Sequence, residues 1–384
     1  MTAWILLFSV AQALTLEEAV RRAAEVDPAA LVAENAAAIA RLQSADVWLD
    51  RGVTVRADLD VGTTFGPDGT LTASTGALDP AAWFDATQAA NEARGARHVA
   101  TATRLDAQYA GASLYHSALA AEAGVAAAER TDAYARATAK ATAARVAAGL
   151  VSEILGRSAE IGVLLAEGRL ARARADLAIA RARLSRALQQ EIDALAPAPA
   201  VTLSDAPLLS PWLDAADADV AAARAGRSEA VAALFPAGTA WISAPFADEG
   251  VWSAPAPWAA GLGLSWTFDG LAGPFLRLRQ AAVGVDSAEV SRDGLERDLR
   301  LGIAVAREAA AASATVAAAA RAREAVAEEA LQIGYARLDV GLGNPLEILR
   351  LQDEAAQARA ERVTAELDAA LAALEARRLA GVPW

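Results

Sequence analysis

Between Pro80 and Ala148 the chain has no proline, and only Gly95, Gly111 and Gly124 punctuate a run of alanine, arginine, glutamate, leucine and valine. Proline removes a helical hydrogen bond and glycine costs about 1 kcal/mol in a helix interior. Their scarcity predicts one helix of about seventy residues, roughly 100 Å long at about 1.5 Å per residue. Gly149 ends it, and a second helix runs to about Ala194. The arrangement recurs. A helix from Ala272 to Val340 is broken at 341–345 by "GLGNP" and resumes to about Ala380. Two sharp reversals in otherwise uninterrupted helix are what any account of this chain must explain.

Each hairpin is preceded by a shorter helix and two strand-like runs. The first helix pattern begins at "LTLEEAVRRAAEV", where Thr15 can cap and Glu17 and Glu18 suit the helix dipole. In "VTVRADLDV", Val53, Val55, Ala57, Leu59 and Val61 alternate with polar residues, as in a strand with one apolar face. "GPDG" at 66–69 reads as a turn into a returning strand. After a proline-bearing connector at 195–211 come another helix, the strand-like "GTAWISAPFADEG", and "WAAGLGLSWTFDG", where Leu262, Leu264, Trp266 and Phe268 alternate. The chain therefore reads as a duplication. The first repeat is 14–194, with strands at about 52–79 and a hairpin at about 80–194. The second is 212–384, with strands at about 238–269 and a hairpin at about 272–380. The offset of roughly 190 residues exceeds small solenoid periods. The fold class is mainly α with a small β part.

Composition closes several routes. A net charge of −13 argues against nucleic acid as a partner. The absence of cysteine excludes disulfides, thiolate metal sites, a cysteine nucleophile and lipid attachment at an N-terminal cysteine. Residues 1–13, "MTAWILLFSVAQA", read as an apolar export signal ending in Ala11 and Ala13, or else as a buried N-terminal helix turn. No later stretch reads as a strongly apolar membrane span, because the positive hydropathy comes from alanine.

The plan implies an oligomer. On the last helix, Leu349, Ala356, Val363 and Ala370 recur every seventh residue, with Ala360, Leu367 and Leu374 alongside. That is a coiled-coil seam of small residues, which buries little surface per neighbour. Four strands leave exposed edges and are too few to close a barrel, whereas strands pooled from several copies can close one. Trp241, Trp252, Trp258 and Trp266 cluster in the second strand pair; they fit a membrane interface or the core of a soluble sheet equally well.

"YARLDVGLGNPLEILRLQDEAAQARAERVTAELDAALAALEARRLAG" resembles the C-terminal signature of TolC-type outer membrane efflux proteins. "WAAGLGLSWTFDG" resembles that family's strand leading into a Phe-Asp-Gly turn. "AVRRAAEVDPAALVAENAAAIARLQSA" resembles its opening helix, with Asp27 where asparagine is common. The resemblance implies a homotrimer whose twelve strands form one barrel in outer membrane lipid, continued across the periplasm by an α-helical barrel. It implies a passive duct of a tripartite efflux or type I secretion system, closed at the hairpin tips. Its partners would be a periplasmic adaptor and an inner-membrane pump or ABC exporter. By resemblance, Val340, Gly341 and Leu342 dock the adaptor. So do Gly149 and Leu150 at the other tip, where Ala148 replaces valine and the acidic Glu153 follows the glycine more closely than Glu347 follows Gly341. Glu347 and Arg350 would stand at the channel entrance, their opposite charges cancelling much of each other's field. The alternative is a soluble periplasmic coiled-coil scaffold or adaptor.

Nothing in the sequence supports catalysis, a metal or a cofactor. His98 and His116 lie eighteen positions apart on one helix and read as solvated side chains. The Gly-x-Gly at 341–343 lacks the strand and third glycine of a dinucleotide loop. The arginines at 169, 172, 174, 181, 183 and 186 read as a solvated face paired with nearby acids.

Overall fold

The computed structural model describes residues 13–49, 53–61, 67–199, 201, 210–246, 259–265, 272–340, 342–382 and 384. Seven helices and four strands follow in order: α1 (Leu16–Val26), α2 (Pro28–Leu49), β1 (Val53–Val61), β2 (Pro67–Leu78), α3 (Pro80–Ala147), α4 (Glu153–Leu188), α5 (Pro211–Ala232), β3 (Ala237–Phe246), β4 (Ala259–Ser265), α6 (Ala272–Asp339) and α7 (Pro345–Leu379). The order helix, two strands, helical hairpin occurs in both halves. The chain divides into two compact units. A helical unit comprises 1–30, 104–209 and 299–384; a sheet unit comprises 31–103 and 210–298.

The sheet is built across the duplication. Its order is β1-β2-β3-β4, antiparallel throughout. Leu71 pairs with Ala244 and Ser74 with Trp241, so the central contact joins the first repeat to the second. Both outer strands, β1 and β4, have a free edge among the described residues. Pro67–Gly69, expected in a turn, belongs to β2. Trp241 lies over Gly261 on the opposed strand, where a Cβ would sit 2.8 Å from the indole ring. Leu262 and Leu264 are about four-fifths exposed, so this sheet leaves apolar side chains uncovered. The turn at Gly66 and the expected strand residues Trp252, Trp258, Trp266 and Phe268 lie outside the described residues.

In the helical unit the core is built where α1 crosses α3. Thr15 and Glu18 form a reciprocal capping box that starts α1. Asp27 stops α1, and its side chain accepts from the Ala30 amide to start α2, so the single expected helix is two. Leu16, Ala19, Val20 and Ala23 pack against Leu105, Tyr109, Ala112 and Tyr115 of α3 and Leu184 and Leu188 of α4. At the crossing, a Cβ on Gly111 would lie 2.5 Å from the Ala23 Cβ and 3.3 Å from the Ala19 carbonyl oxygen. The Tyr115 hydroxyl faces the Leu14 carbonyl at 2.8 Å and that of Ala196 at 2.6 Å, and Leu14 and Leu195 form a parallel bridge. The chain start and the inter-repeat connector are thereby both tied to α3. Helix α4 ends at Leu188, short of Ala194, with Gln189 in the left-handed region at φ 50°. His116, expected in solvent, is half-buried with Nε2 unpartnered, and burial holds its pKa below the usual value.

The hairpin helices are registered by charge. Glu122–Arg181, Glu129–Arg174 and Arg136–Glu167 pair at 2.5, 3.1 and 2.6 Å, stepping by seven residues along antiparallel α3 and α4. Arg321–Glu366, Glu324–Arg362 and Glu328–Arg359 join α6 to antiparallel α7 in shorter steps of three or four residues. Each exposed pair contributes only about 0–1 kcal/mol, but a slip of the helices would lose the set together. Of the six arginines expected to be paired, 169, 174 and 181 bridge acids across helices. The buried seam of α7 is Leu351, Ala358 and Ala365 with Ile348 and Ala355, whereas Leu349, Ala356, Val363 and Ala370 are half-buried. Of the expected seam and its adjoining row, Leu374 is buried, but the main buried row lies two positions from the expected one, because alanines fill both rows and heptad spacing cannot tell them apart. One window within Gly273–Leu338 is long and apolar enough by composition to cross a membrane, although only 28% of it is buried. Alanine, only weakly hydrophobic, supplies much of that run, so no strong span is read there.

Arg359 is the largest fully buried side chain among the described residues, 2% exposed. It donates to Glu328 at 3.0 Å and lies 5.4 Å over the Tyr134 ring. Removing the acid leaves a buried cation, whereas removing the cation leaves a half-exposed acid that water can serve. Glu328→Ala is therefore expected to cost about 3 kcal/mol and Arg359→Met clearly less. Thermal melts of the two variants check this, and equal losses would contradict it.

Candidate docking site at the hairpin tips

The two reversals are built alike. Helix α3 closes with Gly149 at φ 69°, its amide bonded to the Val146 carbonyl at 2.9 Å and the Leu150 amide to that of Arg145 at 2.9 Å. This pair of bonds is the Schellman closure, which needs a left-handed residue and so selects glycine. At the second tip the Leu342 amide reaches the Arg337 carbonyl at 2.9 Å, the same bond one repeat later. Gly341, which by sequence matches Gly149, lies outside the described residues. Gly343 is needed for space rather than for φ: a Cβ there would lie 2.6 Å from the Leu338 amide nitrogen.

The turns are also equal in length, against the expectation drawn from their acids. Ser152 caps α4 three residues after Gly149, and Asn344 caps α7 three residues after Gly341. Glu153 is the first residue of α4, while Pro345 is first in α7 and Glu347 third. The closer spacing of Glu153 thus shifts a charge within the first helical turn and leaves the reversal unchanged. The second turn is better fastened. The Asn344 side chain accepts from the Leu346 amide at 2.9 Å, whereas Ser152 makes no such bond.

The tips present apolar side chains to solvent. Leu150 is 74% exposed, Leu342 82% and Val340 70%. Sequence reasoning missed two more, Ile154 and Leu346, each the second residue of the outgoing helix and each exposed. The available signal was a second apolar residue four positions after the tip leucine in both repeats. Sequence also missed Arg145, whose guanidinium donates to the Leu338 carbonyl at 2.9 Å. That bond joins the two tips and places a cation at the C-terminal end of α6, where the helix dipole favours it. Glu347 and Arg350 are both exposed. Arg350 stands 3.8 Å from Glu354, one turn further along α7.

A polar cluster lies behind the tips. Tyr134 and Tyr335 stack at 6.0 Å, Thr138 and Tyr335 share a 2.8 Å hydrogen bond, and Gln352 donates to the Tyr134 carbonyl at 3.1 Å. Gly334 lets α7 approach α6, since a Cβ there would meet Leu351 at 2.8 Å. The exposed leucines, Ile154 and Val340 thus give the described tip residues an apolar surface beyond this cluster, which suits docking against another protein.

No family model and no curated protein matches the chain. Solved structures do. The outer-membrane channel OprN is 20% identical at a TM-score of 0.80, covering 96% of this chain and 90% of that one. The open state of the MtrE outer membrane channel of Neisseria gonorrhoeae is 17% identical at 0.78, covering 95% and 88%. The outer membrane protein VceC of Vibrio cholerae is 18% identical at 0.75, covering 96% of each chain. The chain has the fold of these proteins over nearly its whole length.

Proposed function

We propose that the chain is one subunit of a TolC-type outer membrane channel in a Gram-negative cell, serving a tripartite efflux or type I secretion system. Three copies pool four strands each into a 12-stranded barrel in outer membrane lipid, and their hairpins form an α-helical barrel in the periplasm. The observation that carries this reading is the four-stranded sheet with both edges free, which is an arc that closes only with further copies. Exposed apolar residues spaced by seven along α6 and just past its end support it: Leu276, Val283 and Val290 in the sheet unit, and Val326, Ile333 and, beyond the helix, Val340 in the helical unit. The likeness to outer membrane channels supports it as well.

The tips Gly149, Leu150, Val340, Gly341 and Leu342 dock a periplasmic adaptor, which couples the duct to an inner-membrane pump or ABC exporter. Residues 1–13 are the export signal. Fractionation tests the whole reading: a heat-modifiable trimer in the outer membrane is expected, and protein confined to the soluble fraction would overturn it. A soluble scaffold explains the hairpins but gives no role to an open sheet with exposed leucines.

Glu347 and Arg350 line the entrance. In a threefold ring, Glu347→Gln removes three negative charges beside Arg350, so cation preference should fall in single-channel recordings. Unchanged selectivity would remove Glu347 from the entrance.

A further inference from the structure

Directly opposed residues in a sheet share one face, so the register sorts the side chains of β2, β3 and β4 into two sets. Leu71 with Ala244, Ala73 with Ile242, Ile242 with Ala260, Ala240 with Leu262, and Gly238 with Leu264 make one face. Leu71, Ile242, Leu262 and Leu264 leave it apolar and exposed. Thr72 with Ser243, Ser74 with Trp241, Trp241 with Gly261, and Thr239 with Gly263 make the other. That face is polar, and Trp241 is the one large side chain among its described residues in these strands. In a barrel the apolar face meets lipid and the polar face meets the water-filled lumen. The register therefore puts Trp241 inside, although its sequence neighbourhood fits a membrane interface or a core.

The indole has two faces, and the fold accounts for one. The ring lies across Gly261, where a Cβ would fall 2.8 Å from Cζ2 and 3.0 Å from Nε1. Glycine weakens a strand interior, and a ring laid over it restores part of the missing contact. An aliphatic side chain would serve that purpose without bringing an electron-rich surface into water. Trp241 is nonetheless 38% exposed, on a wall of threonine and serine. The open face of an indole attracts cations and stacks on flat rings, more strongly than any other side chain. A net charge of −13 draws cations towards a lumen built from several copies. We propose that Trp241 is a cargo-contact residue, and that its copies form a ring of indole platforms on the lumen wall which hold flat aromatic cations in transit. The proposal rests on the barrel reading above and adds a chemical preference to the duct.

Single-channel recordings of the full chain in planar phospholipid bilayers test this. Propidium, a flat aromatic dication, and decamethonium, an aliphatic dication, are each added on the barrel side. Propidium is expected to block the wild-type channel. Trp241→Thr, which matches the polar neighbours, should raise the half-blocking concentration about ten-fold. Trp241→Phe keeps a smaller ring over Gly261 and should fall between the two. Decamethonium block should change by less than about two-fold in either variant. Propidium block that is absent from the wild type, or unchanged in whichever variant assembles, would overturn the platform, while a measurable open-channel current leaves the barrel standing. Equal weakening for both dications would overturn it too, by making Trp241 a plain constriction. Wild-type protein that forms no channel would overturn the barrel reading itself.

Discussion

Gly111→Leu is expected to abolish assembled protein. Two effects compete at this helix-interior position. Replacing glycine by alanine favours the helix by about 0.5–1 kcal/mol. Against that, α1 crosses α3 so closely that a Cβ would sit 2.5 Å from the Ala23 Cβ. Overpacking of this kind costs about 1–3 kcal/mol and rises with side-chain size. Gly111→Ala should therefore lower the melting temperature modestly. Leucine exceeds any slack, pushing α1 off a core that also holds the Leu14–Leu195 bridge. Circular dichroism melts and the yield of heat-modifiable oligomer measure the effect. A stable, assembled Gly111→Leu would mean that α1 does not pack on α3 as described.

Leu342→Glu should stop export while leaving assembly intact. The side chain is 82% exposed, so a carboxylate there costs the isolated chain almost nothing. Buried against an apolar partner, the same carboxylate must be desolvated, and a loss of about 3 kcal/mol corresponds to docking roughly 100-fold weaker. The expected result is normal oligomer with export lost and the adaptor no longer co-purifying after crosslinking. The outcome that sinks the docking assignment is export preserved in Leu342→Glu and in the matching Leu150→Glu.

Local signals made much of this fold legible in the sequence. Scarce proline and glycine marked the long helices, Thr15 with Glu18 marked the start of α1, and period-two alternation marked the strands. What stayed hidden depends on partners distant in sequence. The pairing of β2 with β3 joins Ser74 to Trp241, and no local pattern encodes that choice. The end of α4 carries no glycine; the left-handed residue is Gln189. Alanine on adjoining rows concealed which face of α7 is buried. At the tips, the leucines were readable from their turns. The need for Gly343 was not, since it follows from the approach of the Leu338 backbone.

The β2–β3 contact has a consequence for how the protein is made. A ribosome releases β2 well over a hundred residues before β3 exists, so the first half must wait with an unmated rim. Cutting the chain in the connector would yield two fragments, each bearing a raw strand that only the other can cover. The two halves are not self-sufficient modules; each finishes the other.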